Sequence, residues 1–409
     1  MRVGLLTIGN ELLSGVTVNT NAAWLGQQLL LNGFPVTTSL VVGDPVDEIR
    51  RGLDALWNQH DAIITTGGLG PTHDDRTVEV IAEFFNSDLE FHEKTFERLK
   101  SRLAKRDIEI TERHREQCML PVDAEIIPNK QGTARAMYFE KEGKHAFCLP
   151  GVPHEMKSMV SEEILPRLKR LETRKVHTRI IRTVGVPEST LYNLVENQIE
   201  GLQDNMIAFL PHGYGVDIRL IADETDMNES MLDQLVSDLK ATVGQPAYAE
   251  EDVPLAAVIG DMLRERDLTL ATAESCTGGM LADEVTNISG SSDYFLTGYV
   301  TYSNEAKIRE LSVPEELIIR HGAVSEQVAA SMAAGAVKAT GSRTALSTTG
   351  IAGPTGGTEE KPVGLVYIGC AIDDDVTVRK FEFSDDRRLN KMRSVYAALN
   401  LLRTQLLNG

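Results

Sequence analysis

Cysteine is scarce in this chain: four residues in 409, Cys118, Cys148, Cys276 and Cys370, with no CxxC pair. That spacing excludes a zinc ribbon and a disulfide framework, and leaves reduced, mostly buried thiols as the expectation. Long apolar runs are missing too. No stretch approaches the roughly 18 residues of a membrane helix. The opening MRVGLLTIGNELL has a short apolar run broken by Gly and Asn. It lacks the long apolar region and cleavage site of a signal peptide and reads as a first strand of a cytoplasmic protein without membrane attachment. Positive charge is in deficit, with 41 Lys and Arg against 60 Asp and Glu, a net charge of −19 and a pI near 5.0. Nucleic acid, which demands a basic footprint, is therefore not the expected partner. The basic run 165-LPRLKRLETRK-175 reads as a solvated helix end.

A chain of this length exceeds one ordinary core and predicts two to four domains. Residues 1–170 alternate strand signals (VGLLTIG, PVTTSLVVGD, DAIITTGG) with helix signals (NTNAAWLGQQLLLNG, VDEIRRGLDALWNQ). This βαβα rhythm predicts a parallel, doubly wound α/β sheet. Residues 171–250 read as a small α+β module: strand RKVHTRIIRTVG, helix STLYNLVENQIEGL, strand YGVDIRLIAD, helix MLDQLVSDLKATVG. Residues 251–409 form a second α/β layer fold, with a helix expected from CTGG onward. The stretches 65-TTGGLGPT-72 and 348-TTGIAGPT-355 echo each other after strand-like runs. Glycine-rich turns at the carboxyl ends of parallel strands are where such folds bind ligands, so two separate small-molecule sites are expected.

In the C-terminal part three clusters end strands: 274-ESCTGG-279, 301-TYSNEAK-307 and 349-TGIAGPTGG-357. Glycines admit a ligand close to the backbone, and a helix starting at Cys276–Gly279 would aim its first N–H groups at a phosphate or an oxyanion. The alternative is ordinary turn chemistry, with Ser275 as a helix cap and Cys276 as a buried filler. Either Ser275 or Cys276 could be a nucleophile. Lys307, beside Tyr302, is the candidate base, since Ser–Lys pairs replace Ser–His–Asp elsewhere and burial keeps such a lysine neutral. A surface lysine and a half-buried tyrosine are the bland readings of the same two residues.

The run TLATAESCTGGMLADEVTNISGSSDYF, followed by GYVTYSNEAK, HGAVSEQVA, STTGIAGPTGGTEEKPVGLVYIG and FEFSDDR, resembles the C-terminal domain of the CinA family. That domain is similar to the nicotinamide mononucleotide (NMN) deamidases, and the likeness spans residues 251–409. It implies hydrolysis of the NMN carboxamide to nicotinate mononucleotide and ammonia in pyridine nucleotide recycling, with no cofactor. The resemblance places the catalytic Ser, Tyr and Lys on Ser275, Tyr302 and Lys307, ranking Ser275 above Cys276. Backbone N–H groups over Cys276, Thr277, Gly278 and Gly279 are the expected oxyanion site. The loop with Gly350, Ala352 and Gly353 borders the nucleotide, and Arg387 and Arg393 are candidates for its phosphate. The family's Gly-Asp-Arg reads Asp385-Asp386-Arg387 here.

The N-terminal part offers 9-GNELLSG-15, 41-VVGD-44, 65-TTGGLGPTHDD-75 and 149-LPGVPHEM-156. Acids beside glycine turns suggest a hard divalent metal with a diphosphate, the candidates being Glu11, Asp44, Asp74 and Asp75. Helix capping by Asp44, Asp74 or Asp75 is the competing reading. This half resembles the N-terminal CinA domain, itself similar to the molybdopterin-binding MoaB/Mog fold. The resemblance implies catalytic acids at Asp44 and Asp75. It also implies a nucleotide-binding turn at Gly67, Gly68, Gly70 and Gly151, and ADP-ribose pyrophosphatase activity with Mg, Mn or Co. The family's GTAPG reads 132-GTARA-136 here, so Arg135 either adds a phosphate contact or fills the site. The middle module resembles the family's KH-like domain but has no GXXG loop; 212-HGYGV-216 has the wrong spacing. It is read as a spacer and homodimer contact. Two other readings stay open: a competence- or damage-associated binding protein, and a molybdopterin-binding protein.

Overall fold

Buried apolar runs become the central strands, and the strongest stop signals end them. The computed structural model describes residues 1–70, 75–105, 107–171, 175–203, 206–383 and 386–408. They fall into two compact units, one of residues 1–178 with 223–226, the other of residues 179–222 with 227–409. The first unit is built on a six-stranded sheet of β1 (Val3–Ile8), β2 (Val36–Val42), β3 (Ala62–Thr66), β6 (Glu125–Ile127), β7 (Ala136–Lys141) and β8 (Lys144–Leu149), ordered β2-β1-β3-β8-β7-β6. The short pair β4 (Leu89–Phe91) and β5 (Met119–Pro121) lies outside it. β2, β1, β3 and β8 run parallel, as the alternating pattern predicts. β7 and β6 complete the sheet antiparallel. This edge departs from the expected all-parallel sheet because β7 joins β8 through a tight turn at Glu142 and Gly143, too short for a crossover helix. Both faces are covered. Leu5, Ile64 and Phe147 pack with Leu25 and Met156 on one side, and Leu6 and Ile63 pack with Leu53 and Val80 on the other.

The middle module carries β9 (Val176–Thr183), β10 (Ile207–His212), β11 (Gly215–Asp223) and β12 (Ala247–Ala249), ordered β10-β11-β9-β12. Helices Glu188–Ile199 and Glu229–Val243 bury Leu191, Val195, Leu232, Val236 and Leu239 against it. Within the second unit this module is joined to the C-terminal domain. The hairpin turn at Gly213 and Tyr214 meets the helix Arg387–Asn408, where Tyr214 stacks on Tyr396 with ring centroids 3.3 Å apart. A Cβ on Gly213 would come within 2.6 Å of Met392 Sδ, so glycine permits that approach. The 212–216 turn is thus occupied by protein.

The C-terminal sheet runs β14 (Phe295–Val300), β13 (Leu270–Glu274), β15 (Thr344–Gly350), β16 (Leu365–Ile372), β17 (Asp375–Glu382) in spatial order. β14, β13 and β15 are parallel, and β16 and β17 antiparallel. Long helices Glu326–Thr340 and Arg387–Asn408 cover it, Met332 and Ala333 packing with Ala273 and Ala345, and Val395 and Leu399 with Leu270 and Leu346. The carboxyl ends of the three parallel strands bring Ser275, Thr301 and Gly350 to one rim.

Candidate active site

The turn after β13 differs from the expected helix start. Residues Ser275–Gly279 are irregular, and the helix begins only at Met280 and ends at Thr286. Gly278 and Gly279 adopt φ of +63° and +96°, a left-handed backbone that glycine alone takes at low cost. The turn is anchored by Glu274, fully buried. Its Oε2 accepts from Thr277 Oγ1 at 2.7 Å, Gly279 N at 2.9 Å and Leu281 N at 3.0 Å, and its Oε1 accepts from Ala282 N at 2.9 Å. The N–H groups expected to receive an oxyanion are therefore already occupied at Gly279 and at the helix start. Among the described residues, those of Cys276, Thr277 and Gly278 donate to no other residue and are the donors left beside Ser275. The Thr277 hydroxyl faces inward, shared between Glu274 and Thr348 Oγ1 at 2.7 Å.

Ser275 is nearly buried, and its N donates to Thr348 O at 2.9 Å. Lys307 Nζ donates to Ser275 Oγ at 3.0 Å and to Thr301 O at 2.8 Å. Lys307 stands on the helix Asn304–Leu311, started by Ser303, whose Oγ accepts from Ala306 N at 3.1 Å. It is 1% exposed, against the usual fate of lysine. Burial pushes its pKa below 10.5, with Cys276 and Glu305 pulling weakly the other way. Among the described residues no carboxylate pairs with it. A lysine so placed can hold a lone pair toward a serine hydroxyl. Cys276, by contrast, points into the core, and burial pushes its thiol up to about 12. It is a poor source of thiolate.

Tyr302 is 61% exposed and offers Lys307 only its backbone carbonyl, at 3.4 Å. Its hydroxyl accepts from Arg387 Nη2 at 3.2 Å, and Arg387 Nη1 donates to Gly353 O at 2.7 Å. Arg387 thereby ties the Gly350–Gly357 loop to Tyr302. Asn390 Nδ2 holds the same loop through Ala352 O at 3.1 Å. Asp386 caps the helix, its Oδ1 accepting from Arg388 N and Leu389 N; Asp385 lies outside the described residues. Arg393 does not join the site. Six residues from Arg387 is about 600° of helix, on another face, and its Nε donates to Gly213 O at 3.0 Å. Lys391, four residues from Arg387, shares that residue's face instead. Its Nζ lies 3.6 Å from where a Cβ of Gly278 would stand. The helical spacing of the sequence contains that signal, and the pairing of two arginines obscured it.

The N-terminal candidates surround one cavity of about 450 Å³ at the carboxyl ends of β1 and β3. Glu11, Asp44, Asp75, Gly67, Gly68, Gly70 and Gly151 all line it. Gly67, at φ +115°, has no room for a Cβ against Ile8 O, so the turn requires glycine there. Asp44 is no helix cap; its Oδ2 accepts from Asn10 N at 3.0 Å and ties the β1 and β2 ends together. Asp74 lies outside the described residues. Among the described residues no three acids, histidines or cysteines cluster as a cation cage, so Glu11, Asp44 and Asp75 share a cavity without forming a preassembled metal site. The lining supplies the carboxylates of Glu11, Asp44 and Asp75 and side-chain oxygens of Thr and Asn, with no cysteine or histidine among the described residues. The buried Thr7 Oγ1 and Asn21 Oδ1 in the lining have no hydrogen-bond partner. That donor set fits a hard cation brought in with phosphates, which takes one or two carboxylates from the protein. Ala134 borders this cavity, whereas Arg135 turns away and donates to Thr95 O at 2.9 Å. It neither fills the site nor contacts it.

Fold and rim chemistry together define an α/β protein with two glycine-bordered sites at strand ends and, between the two domains in sequence, a KH-like module. Comparison with known proteins agrees with each part. A family model for a probable molybdopterin binding domain matches residues 4–170, one for the damage-inducible protein CinA KH domain residues 178–249, and one for the CinA C-terminal domain residues 252–406. The chain is 44% identical over 420 residues to a CinA-like protein of Chloroherpeton thalassium, covering 100% of both. It is 38% identical over 410 residues to one of Dictyoglomus thermophilum, again covering 100% of both. A solved competence/damage inducible protein CihA from Agrobacterium tumefaciens is 40% identical over 38% of this chain and 94% of its own, with a TM-score of 0.37. The chain belongs to the CinA family.

Proposed function

We propose that this protein hydrolyses the carboxamide of NMN to nicotinate mononucleotide and ammonia. The observation that carries the reading is the buried Lys307 Nζ, 3.0 Å from Ser275 Oγ and without a carboxylate partner among the described residues. In the reaction Ser275 Oγ attacks the amide carbon while its proton passes to neutral Lys307. The developing oxyanion is received by the N–H groups of Thr277 and Gly278. The C–N bond breaks, ammonia leaves with the proton from Lys307, and an ester to Ser275 remains. Water, deprotonated by Lys307, attacks that ester; Ser275 recovers its proton and nicotinate mononucleotide departs. Arg387 and Lys391, on one helix face, receive the phosphate.

The test is ammonia release from NMN by the full-length protein, with Ser275→Ala and Cys276→Ala alongside. Wild type and Cys276→Ala are expected to release ammonia, and Ser275→Ala to release none while keeping its circular dichroism. Ammonia from Ser275→Ala removes Ser275 from the chemistry.

A second activity, cleavage of the ADP-ribose diphosphate, is proposed for the N-terminal cavity. The unpartnered oxygens of Thr7 and Asn21 beside Asp44 and Asp75 favour it. A divalent cation, when bound, would neutralise phosphate charge and lower the pKa of a bound water. Asp44 and Asp75 would hold it, and the Gly67–Gly70 turn would let the diphosphate approach the backbone.

A further inference from the structure

In a chain of net charge −19, several arginines are held by carboxylates: Arg167 by Glu125, Arg179 by Glu229 and Asp233, Arg343 by Asp373. One cluster of cations lies together without such partners. A second cavity in the first unit, of about 470 Å³, has Lys94, Arg98 and Arg135 in its wall. Arg135 donates only to backbone carbonyls, of Thr95 and Thr133. Arg102 stands next to them, donating to the carbonyls of Lys130 and Gly132. Among the described residues none of these four cations has a carboxylate partner. Glu90 is the one acid in the lining, and it is exposed and unpaired there. His92 adds no charge. Its Nδ1 caps the helix Glu93–Ala104 by accepting from Thr95 N at 3.2 Å, and burial and the neighbouring cations lower its pKa.

Guanidinium groups that crowd one another in a half-buried place cost free energy unless an anion joins them. Burial, reinforced by Arg98 and Arg102, lowers the pKa of Arg135 below its usual value. The lining also has an apolar part, formed by Phe91, Leu120, Val122 and Ile126. A small inorganic anion would leave that part uncovered. The volume lies in the range of small-molecule sites, which are lined by apolar groups with a few placed polar ones. Arg135 is also the residue that turned away from the Asp44 and Asp75 cavity, so this wall is separate from that site although Ala134 borders it.

We infer that this cavity is a binding site for an organic phosphate, its phosphate held by Arg98, Arg135 and Lys94 and its apolar or aromatic part lying on Leu120, Val122 and Ile126. Guanidinium pairs bind phosphate bidentately, which suits Arg98 and Arg135 better than two lysines would.

Isothermal titration of the full-length protein with adenosine 5′-monophosphate, adenosine and inorganic phosphate tests this. AMP is expected to bind, inorganic phosphate to bind more weakly, and adenosine to bind at least about tenfold more weakly than AMP. Arg98 is exposed on its helix, so Arg98→Gln keeps the fold; it and Arg135→Met should each weaken AMP about tenfold or more. Raising the salt should weaken AMP binding in the wild type. No binding of AMP at millimolar concentration overturns the inference, and so does equal binding of adenosine. AMP binding that survives both arginine substitutions, or that is lost in Asp44→Ala or Ser275→Ala while the arginine variants keep it, places AMP in another site and overturns it too.

Discussion

Replacing Glu274 by glutamine should damage both stability and catalysis, by an amount that follows from its four hydrogen bonds. The side chain is 0% exposed and accepts from Thr277 Oγ1 and from the N–H groups of Gly279, Leu281 and Ala282. Glutamine can place its one oxygen where Oε2 stands and keep the first three donors. Its amide nitrogen then faces Ala282 N, donor against donor. A buried donor without a partner costs about 1–3 kcal/mol, and hydrogen bonds to a charged acceptor, worth roughly 1.5–3 kcal/mol each, fall to about 1 when the acceptor is neutral. The expected loss is about 3–6 kcal/mol, or on the order of 10 °C in the unfolding midpoint of a unit of this size. Because these bonds set the backbone between Ser275 and Gly279, a displacement near 1 Å should also lower kcat roughly a hundredfold. Guanidinium unfolding followed by circular dichroism, with ammonia release measured on the folded fraction, reads both numbers. A loss below about 1 kcal/mol together with an unchanged kcat refutes the anchoring role.

Lys307 gives a pH prediction. Its pKa is depressed by burial, so kcat/KM should rise with pH and level off above the depressed value, below 10.5. The folded protein holds its proton less tightly than the unfolded chain, so stability should increase with pH between the folded value and 10.5. Lys307→Met should therefore abolish ammonia release yet raise the denaturation midpoint at pH 7; a lowered midpoint refutes the burial argument. Asp75→Asn should remove metal-dependent ADP-ribose cleavage, assayed as AMP formation, and leave ammonia release at the wild-type rate. Loss of both activities would mean that the two sites are not independent.

Several strands that carry the rims were legible because they are short apolar runs ended by Thr-Thr-Gly (β3, β15), Gly-Asp (β2) or Glu-Ser (β13). The long helices were legible from period and stops, as at Gly33 (φ +86°) after the helix Thr20–Leu31. Two kinds of feature were not. Short elements with little period of their own escaped: β10 abuts a turn, and the helix under Lys307 has eight residues. The other kind depends on three-dimensional bonding. ESCTGG advertises a helix start, but whether its N–H groups await a ligand depends on where the Glu274 carboxylate goes, and nothing in the local pattern states that. The choice between Arg393 and Lys391 was readable, since a residue four positions from Arg387 shares its face and one six positions away does not. Arg135 could not be aimed from sequence, because a loop residue may turn to either side of its own backbone.

The Tyr214–Tyr396 stack and the Gly213–Met392 approach have an evolutionary corollary. Tyr396 and Met392 are buried or half-buried on the helix Arg387–Asn408, where the middle module's hairpin meets it. A chain consisting of the C-terminal domain alone would present both side chains to water. Freestanding versions of this domain should therefore carry polar residues at these two positions, or conceal them in a self-association interface. The identity of two side chains on one helix thus becomes a marker, visible in sequence, of whether a CinA C-terminal domain is tethered or solitary.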